Sequence, residues 1–203
     1  MLGFDGTQAG RVLAAVFDAV ADKGYAATTV ADVVAGAAVS KRTFYQHHDD
    51  KEGCFAAACG AAATDLARTL RAAVAPIAPH DWHARVHTAW QVLLDALATH
   101  PTAAWCLFVE APSAGAATTA GLLAAHESAA GSLARLHERA RLRHPGMRRP
   151  SPDAFGLHVG GAVELVRRTL LRAGAPALPG LLPSVVENAL VLFEPAPAVR
   201  RTA

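Results

Sequence analysis

The chain has 203 residues, 52% of them hydrophobic and 18% charged, which is enough apolar side chain for a sizeable core and excludes both a disulfide-stapled miniprotein and a disordered chain. Its 19 Lys+Arg against 17 Asp+Glu leave a net charge of +2, too small to argue for nucleic acid by itself. Cys54, Cys59 and Cys106 are odd in number and lack a CxxC spacing, so buried thiols in a reducing, cytoplasmic setting are expected rather than a disulfide or zinc framework.

The first ten residues contain no basic run leading into an apolar stretch, and the longest uncharged segments, near 111–125 and 173–186, are broken by Pro and Gly. No signal peptide or membrane span is therefore expected. Apolar residues recur at helical spacing throughout, and no alternating β-branched run interrupts them, so the fold class expected is all-α with about nine helices. The first helix carries Val12, Leu13, Val16, Phe17 and Val20 on one face and stops at Lys23-Gly24, a basic last turn followed by a residue that tolerates a left-handed cap. Thr29 and Asp32 form a Thr-x-x-Asp capping pattern for a short second helix with Val30, Val33, Val34 and Ala37 on its inner stripe. After a break at 36–39, Ser40 can cap a third short helix from Lys41 to about His47, and Asp49-Asp50 opens a long fourth helix that Pro76 and Pro79 end. Further helices are expected at about 81–99, 101–110, 115–143, 152–173 and 178–194, followed by a loose tail.

Three short N-terminal helices with a tight turn between the second and third fit a helix-turn-helix, whose last helix enters the major groove. Ser40-Lys41-Arg42-Thr43-Phe44-Tyr45-Gln46-His47 places donors at nearly every position except Phe44, where a helix serving only as core would show a wider apolar face. Lys51 falls in the first turn of the fourth helix, beside free backbone N–H groups, where it can clamp a phosphate. The alternative for this face is a solvated polar surface on a three-helix core unit.

These residues resemble the TetR family of bacterial transcriptional regulators. The resemblance runs through Gly24-Tyr25-Ala26-Ala27-Thr28-Thr29-Val30-Ala31-Asp32-Val33, Ala37-Ala38-Val39-Ser40, Thr43-Phe44-Tyr45-Gln46-His47 and Asp50-Lys51-Glu52. It implies that Thr29, Tyr45, His47 and Lys51 contact phosphates of double-stranded DNA, that Lys41, Arg42 and Thr43 approach base edges, and that Ser40 belongs to the same DNA-binding set. It also implies a DNA-binding domain at 1–52 and an effector-binding and dimerisation domain at 53–203. Two positions depart from the family pattern: Ala38 stands where Gly is usual in the turn, and His48 where Phe is usual after the His.

In the family the later helices enclose a cavity for a small effector, and the candidates here are Trp82, Trp90, Trp105, Phe108, Glu110 and His126. A tryptophan in this region can equally fill core. Glu110 ends an apolar run and could hold a cationic or hydroxylated effector, pair with an arginine, or sit at an exposed helix end. His83 and His87 have the spacing of a metal clip without an identifiable third ligand, so no metal and no cofactor are expected. Gly156, Gly160 and Val163 in one late helix, with Leu182, Val186 and Ala189 in the last, are the expected contacts of a two-fold dimer. The function expected is a homodimeric repressor that binds a pseudo-palindromic operator and is released by a small hydrophobic effector, with no enzymatic activity. An α-helical enzyme acting on a hydrophobic substrate, or a constitutive or architectural DNA binder, is the alternative.

Overall fold

The computed structural model of the chain describes residue 4 and residues 6–193; the tail expected to be loose after Glu194 lies outside the described residues. Thr7 opens α1 (Gln8–Lys23) by accepting the Gly10 N–H, and Gly24, at φ 82°, closes it while donating to Val20. Then follow α2 (Val30–Gly36), α3 (Lys41–Tyr45), α4 (Lys51–Val74), α5 (Trp82–Thr99), α6 (Pro101–Trp105), α7 (Ala116–Arg143), α8 (Ala154–Ala173) and α9 (Leu182–Val191). No strand occurs among the described residues, and no single helix among them is long and apolar enough to cross a membrane.

The expected caps form. Thr29 and Asp32 make a reciprocal capping box on α2, Ser40 accepts the Thr43 N–H, and Asp50 accepts the Gly53 N–H, each satisfying donors that a helix start leaves without an intrahelical partner. Two expected helices differ in form. The 101–110 segment is α-helical only to Trp105, continues as a π-helical turn (Cys106–Glu110), and tightens into a 3-10 turn (Ala111–Ser113). The 178–194 segment begins as a 3-10 stretch (Ala175–Leu181) holding Pro176 and Pro179, because prolines without N–H groups cannot continue an α-helical ladder.

The core falls into three clusters. The first joins Val12, Val16, Val20, Val33, Phe44 and Phe55 with Cys106, Leu107 and Ala111. The expected division after residue 52 thus cuts the first turn of α4 and runs through a core that both parts share. The second cluster packs Leu94, Leu97, Val166, Leu170, Leu178 and Val185, and the third packs Val86, Ala140, Met147, Ala189 and Phe193. All three cysteines are buried and free, and burial pushes the thiols of Cys54 and Cys59 up to about 12.

Ala38, exposed in the turn before α3, adopts φ 51°. This is the left-handed region that an L-residue with a Cβ disfavours. Its side chain contributes no burial to offset that cost. Ala38→Gly should therefore stabilise the protein by about 0.5–1 kcal/mol, after the larger chain entropy that Gly gives the unfolded state, and raise Tm by roughly 1–4 °C; an unchanged or lower Tm would show that the turn carries no strain.

Burial pushes the pKa values of His48, His126, His137 and His158 below the usual imidazole range. The folded state binds fewer protons than the unfolded state, so stability is intact above pH 6.5 and falls as the unfolded chain takes up protons below it. Asp32 and Glu164 are shifted down by hydrogen bonds, from Lys23 foremost and from Arg167 respectively; their effect begins only below the ordinary carboxylate range, near pH 4. Thermal melts should therefore show a decline in Tm between pH 7 and pH 5, and a flat profile across that window would mean that these imidazoles ionise normally.

Candidate nucleic-acid interface

Phe44 is completely buried and anchors α3 in the first core cluster, with the Tyr45 ring edge-on to it at 5.3 Å. Lys41, Arg42 and Tyr45 of α3, and Gln46 and His47 just after it, then face outward and are exposed, Tyr45 to 56% despite its aromatic ring. His48 takes the place of the usual Phe by packing its half-buried ring 5.7 Å from that of Phe44.

The donors at this surface are unequal. Lys41, Arg42, Tyr45 and His47 have no polar partner among the described residues, leaving two full positive charges and a phenol available on one short helix. Ser40 and Thr43 share a hydroxyl–hydroxyl contact of 3.0 Å and the N-cap bond. Thr29 is spent internally: its hydroxyl and its N–H both donate to Asp32 Oδ2, at 2.6 and 2.7 Å, and Asp32 in turn pairs with Lys23 at 2.6 Å. Lys51, expected to clamp a phosphate, donates to the carbonyls of Tyr25 and Thr28. Of the expected phosphate contacts, Tyr45 and His47 are thus without an internal polar partner, while Thr29 and Lys51 also bond within the unit.

The residues expected around an effector are brought together only in part: Trp82 and Trp90 both pack on the third cluster, and Trp90 and Phe108 both pack on the second. Trp82 stacks on Phe193 at 4.6 Å in the third core cluster, and Trp90 meets the His158 ring edge-on at 5.3 Å. His126 is half-buried on α7, and Phe108 packs between the first and second clusters. Trp105 and Glu110 belong to a different place altogether. Glu110 accepts the Tyr25 N–H at 2.9 Å and the Trp105 indole N–H at 3.2 Å, so it joins the π-helical turn to the α1–α2 turn and is not a cavity wall. An extra residue in that wide turn and a carboxylate needing donors explain the placement. Two concavities stand out among the described residues, and neither contains these side chains: a groove of about 580 Å³ between α7 and α8, and one of about 430 Å³ on α1 and α2 lined by Arg11, Asp18, Asp22 and Asp32.

Of the expected dimer contacts, Gly156 and Gly160 are exposed on α8, next to Leu157 at 74% exposure, and both line the larger groove. Val163, Leu182 and Val186 are half-buried. Ala189 is completely buried in the third cluster and cannot be a dimer contact, because α9 turns Val185 and Ala189, one helical turn apart, into the protomer. The exposed positions of α9 are Pro183, Ser184, Glu187, Asn188 and Val191, with Asn188 Oδ1 2.8 Å from His158 Nδ1 of α8, a face more polar than expected. Glu52 is a residue that the sequence reading missed: it accepts the Ala117 N–H at 3.1 Å, capping α7 from the start of α4.

Residues 12–58 match the family model of bacterial regulatory proteins of the tetR family. No curated protein matches the chain. Among solved structures, the fatty acid degradation regulator FadR from Bacillus halodurans superposes with a TM-score of 0.79 at 15% identity, covering 97% of this chain and 98% of its own. FadR from Bacillus subtilis, solved with stearoyl-CoA, gives 0.77 at 14% identity over 91% and 98%. The regulatory protein TetR from Rhodobacter sphaeroides gives 0.68 at 21% identity over 91% and 97%. With the exposed donor face of α3 and the match over its first helices, the chain carries the N-terminal domain of the tetR family of bacterial regulatory proteins, within the all-helical fold that TetR-family regulators share.

Proposed function

We propose that this TetR-family chain acts as a homodimeric transcriptional repressor, with α3 reading a pseudo-palindromic operator in the major groove and a hydrophobic effector releasing it. The observation that carries the reading is the set of unpaired donors on α3, Lys41, Arg42 and Tyr45, with His47 in the turn that follows it, presented around a fully buried Phe44. A structural core unit has no use for such a face, whereas phosphates and base edges need it. A dimer supplies two copies of α3 to one side of a duplex, with half-sites about one helical turn apart. The exposed α8 face around Gly156, Leu157 and Gly160 supports that pairing.

An effector acts by binding one spacing of the two DNA-binding units better than the other. FadR from Bacillus subtilis was solved with stearoyl-CoA, and a long-chain acyl thioester is the first ligand to try on this chain. Selection of duplexes from a random pool, repeated with and without stearoyl-CoA, tests both halves. The expected result is an enriched two-fold sequence that is lost when effector is added. Failure to enrich any sequence would remove the operator-binding role, and enrichment unaffected by any hydrophobic ligand would favour a constitutive DNA binder.

A further inference from the structure

His158 is only 5% exposed and lies on the inner face of α8, between Phe155 a turn before it and Ala162 a turn after it. Ala162 belongs to the second core cluster, while the Phe155 ring lies 5.5 Å from His137, which meets Phe193 of the third cluster. His158 Nδ1 is 2.8 Å from Asn188 Oδ1 of α9. That oxygen has no proton to give, so Nδ1 is the donor and Nε2 keeps a bare lone pair. Burial holds the imidazole below its ordinary pKa, so the ring is neutral near pH 7. Nε2 is itself buried and has no hydrogen-bond partner among the described residues, a condition that a suitable donor relieves. The ring of Trp90 meets that of His158 edge-on at 5.3 Å, and the Trp90 indole N–H is likewise unpaired among the described residues. We propose that His158 Nε2, beside Trp90 at the seam of the second and third core clusters, is the polar anchor for the effector, which is therefore a neutral apolar molecule bearing a hydroxyl group.

A hydroxyl suits the place because it gives a proton to Nε2 and still accepts one, whereas a charged donor would lose its hydration among Trp90, Phe155 and Ala162. Neither groove described above reaches His158. Trp90 is half-buried and packs on both clusters, so it is the movable wall whose displacement uncovers Nε2. An opening of the second cluster bears on the DNA-binding unit, because Leu66 and Phe108 pack on that cluster and also on the first, which holds Phe44 beneath α3. The proposal rests on the effector-release reading above, but its test uses the protein without DNA.

1-Dodecanol and dodecyl methyl ether share a chain and an oxygen and differ in the O–H. Calorimetric titration of the wild type near pH 7 should give the alcohol a dissociation constant at least roughly tenfold lower than that of the ether, as expected where a buried acceptor selects for a donor. In His158→Phe, which keeps a ring against Trp90 and removes both nitrogens, the preference should fall to about twofold or less. In protein labelled with nitrogen-15 at histidine, the ring-nitrogen signal missing from the variant should move toward the hydrogen-bonded position with the alcohol and not with the ether. Equal affinities in the wild type would leave Nε2 to a buried water and overturn the proposal, as would a preference kept by the variant or no binding of the alcohol. An alcohol that binds with this preference but does not release a selected duplex refutes the effector reading alone. A duplex released by stearoyl-CoA, with no preference between the two probes, refutes the anchor alone. Should His158→Phe fail to fold, His158→Leu carries the same measurements.

Discussion

Gly160→Arg should leave the protein monomeric at micromolar concentration, where the proposed homodimer requires the wild type to sediment as a dimer. A Cβ added at Gly160 meets no atom within 4 Å of its own protomer, so the substitution is free of internal collision. It also lies within α8, where Arg is favoured over Gly by up to about 1 kcal/mol of helix propensity. The isolated protomer should therefore be at least as stable as before, which makes this variant a clean probe of association. On the dimer side the effect is large, because a two-fold interface uses the same patch of both protomers, so a substitution within it enters the contact twice and two guanidinium groups with their stems must be accommodated. The neighbouring Leu157, 74% exposed, then loses the surface that would cover it. Loss of the dimer should be accompanied by loss of binding to a two-half-site duplex. An unaltered dimer in the variant, or a monomeric wild type at the same concentration, would reject this α8 face.

The features that sequence reasoning located correctly are those whose physics is local. Thr29 with Asp32, Ser40 with Thr43 and Asp50 with Gly53 each close over three residues, so residue type and spacing suffice to find them. Helix ends set by Pro or Gly follow the same logic. The features that escaped it depend on partners far along the chain. Lys51 finds its carbonyls 23 and 26 residues away, Glu110 finds the Tyr25 N–H at a separation of 85, and Glu52 reaches Ala117 across 65. No spacing rule reveals that the fold itself bonds this lysine to two carbonyls. The tryptophans show the same limit: their closeness in sequence suggests one cavity, yet Trp82 and Trp90 pack on the third core cluster while Trp105, beyond the 108° bend between α5 and the segment Pro101–Ser113, bonds Glu110. Nor does the apolar run from Trp105 to Val109 announce a π-helical turn, since an extra residue per turn leaves no mark in composition.

The consequence for recognition is that base reading should concentrate on very few side chains, and Arg42 carries the greatest expected effect. It is exposed on α3 and has no polar partner among the described residues, so its guanidinium needs to give up nothing in the protein to meet a base. Lys41 shares the helix but offers a single point charge, whereas the planar fork of Arg42 can bond guanine O6 and N7 together, which discriminates between bases. Arg42→Ala should cost roughly 1–3 kcal/mol per half-site on the best duplex and relax preference at one base pair in each half. The change should be confined to binding: a substitution at an exposed position that holds no contact alters stability by about 0.5 kcal/mol or less, so the melting temperature and the dimer serve as internal controls. Selection from a random pool with wild type and variant in parallel measures the effect position by position. Loss of affinity spread evenly over all sequences would make Arg42 a phosphate contact, and an unchanged preference would transfer the reading role to Lys41 or Tyr45, the remaining unpaired donors on the outer face of α3.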